Sequence, residues 1–153
     1  MATVGYREGD WFAVPLRKGG FAVGMVTRAN PGGALLGYFF GPRRDAPPSL
    51  ADVAGLNPGD AILVAMFGHL GLTQGKWAIL GRFDGWDRAD LPMPAFVRYE
   101  ELTGRSFRVF YADDDPNRLL REEKIVPGGG EEGPKDGLLG AGAVEKVLTS
   151  QLR

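Results

Sequence analysis

Residues 9–40, GDWFAVPLRKGGFAVGMVTRANPGGALLGYFF, hold three apolar runs separated by two turn-rich interruptions. The runs are Trp11–Leu16, Phe21–Val26 and Ala34–Phe40, and the interruptions are RKGG and RANPGG. Short runs rich in β-branched and aromatic residues, punctuated by Gly, Asn and Pro, mark consecutive antiparallel strands. Arg17–Gly20 fits a tight hairpin, because glycine reaches the positive φ that such turns need. Pro15 near the end of the first run suggests an edge or a bulge, since proline donates nothing to a ladder. In the second run Phe21, Val23 and Met25 share one face and Ala22, Gly24 and Val26 the other. Neither face is polar, which suits a strand covered on both sides or one curling in a small barrel, where Gly24 permits the bend. Ala34–Phe40 is apolar throughout and too short for most helices, so it reads as a buried strand, with Gly37 a second point of bending.

Outward from this core, Gly41–Pro48 reads as a loop. Ser49 followed by Asp52 then opens a short helix that ends near Gly55, Ser49 serving as its cap. Ala61–Phe67 and Lys76–Arg82 are the next strands, joined by the glycine-rich GHLGLTQG. Gly59-Asp60 echoes Gly9-Asp10, an echo that common turn chemistry accounts for. Phe83–Pro94 is a loop with a helical turn after Asp84 or Asp87. Ala95–Glu101 and Arg105–Tyr111 form a hairpin, ended by Asp113-Asp114-Asp115-Pro116. Asn117–Lys124 is either a short helix or a polar strand. Residues 127–135 (PGGGEEGPK) are low in complexity and expected to be a flexible loop. Ala141–Leu152 places Val144, Val147 and Leu148 at helical spacing and predicts a C-terminal helix. The expected fold is α+β in a single domain spanning 1–153. It is mainly a strongly bent antiparallel sheet or a partly open SH3-like barrel, with a short helix after the third strand and a C-terminal helix.

Bulk composition narrows the function. The 153 residues are 44% apolar, enough for a real core, and 24 Gly with 11 Pro favour many short elements over a helical bundle. A net charge of −1 lacks the basic excess of a dedicated nucleic-acid binder. Without cysteine there is no disulfide, thiolate metal site or cysteine nucleophile, and a single histidine removes multi-histidine zinc chemistry. No stretch approaches a membrane span, and a cytoplasmic protein is expected. Most charges of both signs fall in residues 77–153, so the first half reads as core and the second as solvated or partner-facing surface.

Individual candidates follow from chemistry. His69 lacks a recognisable nucleophile partner and reads as a loop histidine. Asp113, Asp114 and Asp115, with Glu122 or Glu123, fail the spacing of a calcium loop. They read first as a solvated strand end with Pro116 opening a helix, next as an acidic patch that attracts a basic partner, and last as a metal site. Arg43, Arg44, Arg105 and Arg108 suit surface ion pairs better than phosphate contacts. Trp11, Trp77 and Tyr38–Phe40 are expected in the core. Trp86, between Asp and Arg in a loop, is either a plug over the end of a barrel or an interface anchor. The glycines form neither a P-loop nor a dinucleotide fingerprint.

The runs GDWFAVPLRKGGFAVGMVTR, LLGYFFGPRR, GDAILVAMFG and WAILGRFDGWDRADLPMPAF together resemble the Immunity protein 26 family over roughly residues 9–120. The resemblance implies a protein that neutralises a bacterial toxin by protein–protein contact, without catalytic residues or cofactor. The family name is also linked to a small phosphotriesterase. That hydrolase reading wants several His or carboxylate ligands, and here only carboxylates such as Asp84, Asp87 and Asp113–Asp115 remain beside one His. A small-barrel nucleic-acid-binding module is the third reading, which the missing basic excess argues against. The expected partner-binding surface comprises loops 41–48 and 83–94 and the acidic strand end. Its residues are Arg43, Arg44, Trp86, Asp87, Asp113, Asp114 and Asp115, with the aspartates steering a toxin and Trp86 anchoring it.

Overall fold

In the computed structural model, which describes residues 5–129 and 132–152, the glycine-punctuated opening folds as a meander. β1 (Trp11–Pro15), β2 (Phe21–Ala29), β3 (Ala34–Arg44) and β4 (Leu63–Gly68) are consecutive antiparallel neighbours. β5 (Ile79–Gly81) adds antiparallel to β1, giving a six-stranded sheet in the order β5-β1-β2-β3-β4-β9. Its last member, β9 (Leu138–Leu139), runs parallel to β4. A second antiparallel sheet has the order β6-β7-β8, from β6 (Phe96–Glu100), β7 (Arg105–Ala112) and β8 (Asp115–Lys124). α1 (Leu70–Thr73) is a single turn and α2 (Ala141–Gln151) ends the chain. Three 3₁₀ turns, Leu50–Val53, Pro58–Asp60 and Arg88–Asp90, punctuate the loops.

The two-residue period of the strands sorts their side chains into two cores. Phe12, Val14, Ala22, Leu35 and Phe39 face α2, meeting Val144 and Leu148 together with Phe67, Leu72 and Trp77. Trp11, Val23, Met25, Leu36, Tyr38 and Phe40 face the second sheet, meeting Phe96 and Val109. The large sheet is therefore the middle of three layers, covered on both sides as the apolar faces of β2 require. Trp11, Trp77 and Tyr38–Phe40 are all buried. Trp77 also donates from Nε1 to Glu145 Oε2 at 2.9 Å, tying α2 to the segment between α1 and β5.

Gly24 and Gly37 have a steric reason beyond the bending expected of them. A Cβ on Gly24 would lie 2.5 Å from Phe12 Cζ, and one on Gly37 would lie 2.6 Å from Phe67 Cε1. These glycines clear the floor beneath an aromatic cluster in which Phe12 stacks on Trp77 at 5.5 Å and Phe39 meets Phe67 edge-on at 5.4 Å. The irregularity of β2 lies at register shifts between Phe21 and Val23 and between Val26 and Arg28.

The α+β architecture with an open, antiparallel-rich sheet is as expected, β5 and β9 ending the strand order at opposite edges, but several of its details differ. β1 is an internal strand, and Pro15 sits at its last position, beyond the pairing with β5. Residues 41–44 continue β3 rather than forming a loop, with Arg44 paired to Phe21. The glycine-rich connection contains α1, and Gly59-Asp60 lies in a 3₁₀ turn rather than at a strand entry. Asp115–Lys124 is the polar strand of the two alternatives, so Pro116 opens no helix.

The flexible segment expected at 127–135 falls partly on residues 130 and 131, outside the described residues. Its end lies against β6: Val97 N–H donates to Pro134 O, and Asp136 N–H to Val97 O. The chain then crosses to the large sheet as β9. Among the described residues no helix is long and apolar enough to cross a membrane.

Candidate functional site

Arg28 is a lone cation near the end of an apolar strand, and it is fully buried. Such a guanidinium is tolerable only when its donors are satisfied. Nη1 donates to Thr27 O at 2.7 Å, Nη2 to Asp113 Oδ1 at 2.9 Å and to Arg88 O at 3.3 Å, and Nε to Asp113 O. One side chain thus joins β2, the 88–90 turn and the β7–β8 turn. The Arg28 guanidinium holds the Asp113 carboxyl below the usual carboxylate range. A second clamp lies beside it: Arg88 Nη2 contacts both carboxylate oxygens of Glu8 at 2.7 Å, which raises the Arg88 pKa further.

The other two aspartates of the run have separate partners. Asp115 Oδ1 accepts from Asn117 N–H at 2.9 Å and Asn30 Nδ2 at 2.7 Å, and these bonds, the backbone one foremost, lower its pKa. Asp114 pairs with Arg118 at 3.3 Å in solvent. The acidic run is therefore a fastening between the β2–β3 and β7–β8 turns. Among the described residues no group of three or more histidines or acids could hold a metal ion.

Trp86 is half-buried, and its seat depends on Gly9. Gly9 has φ 92°, and a Cβ there would lie 2.7 Å from Trp86 Cγ and 2.5 Å from Arg82 Cδ. Only glycine accepts both that backbone conformation and that crowding. The indole forms one wall of a cleft of about 230 Å³ whose floor includes Trp11, Met25, Phe40 and Leu91. Phe83 stands at the cleft with Asp84, Asp87 and Asp90, all exposed. Asp87 caps the 88–90 turn, accepting Ala89 N–H at 2.9 Å, as its position before that turn suggests.

Arg43 and Arg44 lie elsewhere. Arg44 pairs with Phe21 at one end of β2, whereas Arg28 pairs with Leu36 towards the other. Arg43 donates to Gly19 O at 3.0 Å and pairs with Asp45 at 2.5 Å. Arg44 contributes to the lowered pKa of Asp52, behind the larger effect of the Ser49 hydrogen bonds. The structure thus gathers Trp86, Asp87 and Asp113–Asp115 at one end of the central strands and leaves the arginine pair at the opposite end. His69 accepts or donates at Nδ1 to Tyr6 OH, 2.9 Å away, and packs against that ring.

Arg28, Glu8 and Asp90 were absent from the candidates drawn from sequence. Arg28 had a legible signal: the one charged residue of β2, close before Asn-Pro-Gly-Gly in a strand with two apolar faces. Glu8 had none, because its partner Arg88 comes from a distant segment, and Asp90 had none beyond being one more acid in the 83–94 loop.

The sequence model of the family described as Immunity protein 26 matches residues 7–108. No curated protein and no solved structure matches the chain.

Proposed function

The chain belongs to the Immunity protein 26 family, and we propose on that footing that it is a non-catalytic binding protein that neutralises a cognate bacterial toxin by occlusion. The family match carries this reading. It spans β1 to β5, the Trp86 loop and β6, and so includes both sides of the cleft. The contact surface in this proposal is the end of the molecule built from residues 83–91 and the Asp113–Asp115 turn. Half-buried Trp86 supplies a rigid aromatic anchor of the kind that dominates interface energies. Exposed Asp84, Asp87 and Asp90 supply a field that steers a basic partner and speeds encounter. Arg43 and Arg44 lie outside this contact or at its margin. The protein acts in the cytoplasm in this reading, wherever the toxin meets its target.

The test starts from the neighbouring genes, one of which should encode a protein with a C-terminal toxin domain, and proceeds to co-expression with that domain. Growth should be restored only when this protein is present, and the two should co-purify as a stoichiometric complex. Unrestored growth with no complex would overturn the reading. Turnover of a chromogenic phosphotriester by the purified protein, lost on chelation, would replace it with the hydrolase.

A further inference from the structure

We propose that the Trp86 cleft is the receptor for one arginine side chain of the partner protein, an inference that rests on the binding reading above. Size is the first argument. At about 230 Å³ the cleft falls below the range of ordinary small-molecule sites and matches a single large side chain. Its lining is the second. The floor is apolar, with Trp11 and Phe40 among its residues, and the Trp86 indole forms a wall. Such a surface accepts an aliphatic stem and offers an aromatic face to a planar cation.

Charge selects the occupant. Asp84, Asp87 and Asp90 stand at the cleft, and none has an ion-pair partner among the described residues. The cations nearby are otherwise placed: Arg88 is paired with Glu8, and Arg82 donates to Glu8 O on the Gly9 side of Trp86. The neighbouring aspartates of the β7–β8 turn are, by contrast, paired with Arg28 and Arg118. An arginine satisfies the site better than lysine, because its guanidinium stacks on the indole while its fork bonds two carboxylates. Arg and Trp are also the side chains most often found at the centres of interfaces.

The inference can be tested with and without the partner. Nα-acetyl-arginine amide, titrated into the isotopically labelled protein, should give saturable shifts of the Trp86 indole N–H and the Gly85 amide. Nα-acetyl-glutamine amide should not. Asp84→Asn with Asp90→Asn, which leaves the Asp87 cap in place, should abolish the arginine-specific shifts. Equal shifts from both probes, or unchanged shifts in the double variant, would overturn the proposal. With the toxin domain of a neighbouring gene, the double variant should bind about tenfold or more weakly, with a flatter dependence on salt. Full binding by the double variant sinks the arginine receptor and leaves the immunity reading intact. Absence of toxin binding by the wild-type protein sinks the immunity reading itself, and the amide titration still decides the chemistry of the cleft.

Discussion

Arg28 shows how one residue can hold a surface in place. Its guanidinium is buried while the paired Asp113 side chain is 65% exposed, so the two halves of the pair differ in what their loss costs. Arg28→Met leaves the Thr27, Arg88 and Asp113 carbonyls short of a donor, while the Asp113 carboxylate stays hydrated. We expect a loss of about 3 kcal/mol, measured as a shift in urea unfolding. Asp113→Asn keeps an acceptor but removes the counter-charge, with an expected cost of about 1–2 kcal/mol near neutral pH. The pH dependence has a definite sign. Asp113 has a depressed pKa in the folded state, so its contribution is complete above the unfolded value near ~4 and disappears as pH falls through the folded one. The wild-type protein should therefore lose stability on acidification more steeply than Asp113→Asn. Parallel unfolding profiles would show that the pair contributes nothing.

Between elements, the strands depend on what glycine leaves out. Gly24 and Gly37 read in the sequence as bends, yet each sits under an aromatic ring within the α2-facing core. Gly24→Ala or Gly37→Ala should cost about 1–3 kcal/mol through overpacking of Phe12, Phe39 and Phe67. Gly59→Ala, with open space around the new Cβ and no positive φ, should leave the unfolding midpoint unchanged and serves as the control. Tyr111 on β7 donates to Asp136 Oδ1 at 2.5 Å, joining the small sheet to the segment that crosses to β9. Burial, and then the carboxylate, push its pKa well up. Tyr111→Phe should cost about 1.5–3 kcal/mol, the range for a bond to a charged acceptor, and should raise amide exchange at Asp136.

At the scale of the molecule, α2 closes a core that the family-matched segment leaves open on one side. Residues 7–108 supply the aromatic floor, and Val144 and Leu148 from outside that span cover it. Both are fully buried, so Leu148→Ala should cost about 2–5 kcal/mol, a large part of the stability of a domain this size. Calorimetry would show whether α2 is integral: a separate low-temperature transition would mean that it only decorates the sheet. The three-layer arrangement also bears on where the proposed contact surface can lie. Both faces of the large sheet are covered by packing, so the surface left free is the outer face of the small sheet and the loops at the rims of the layers.

The strands β1 to β3, the β6–β7 hairpin, α2 and a helical turn after Asp84 or Asp87 were legible in the sequence, because periodicity, turn glycines and capping residues act over a few positions. The same local rules placed Arg43 and Arg44 in a loop and Asp113–Asp115 at a free strand end. Strand pairing, set by contacts far apart in sequence, moved both. It extended β3 through Arg44, carried Arg43 and Arg44 to the far end of the sheet, and brought Asp113 to the buried Arg28, 85 positions away. Local chemistry determined which segments are strands and helices. Long-range burial decided which charges are spent on fastening the fold and which, at Asp84, Asp87 and Asp90, remain without an ion-pair partner among the described residues. Where the counterpart comes from a distant segment, as Asp113 does for Arg28 and Glu8 for Arg88, no local pattern records that partner.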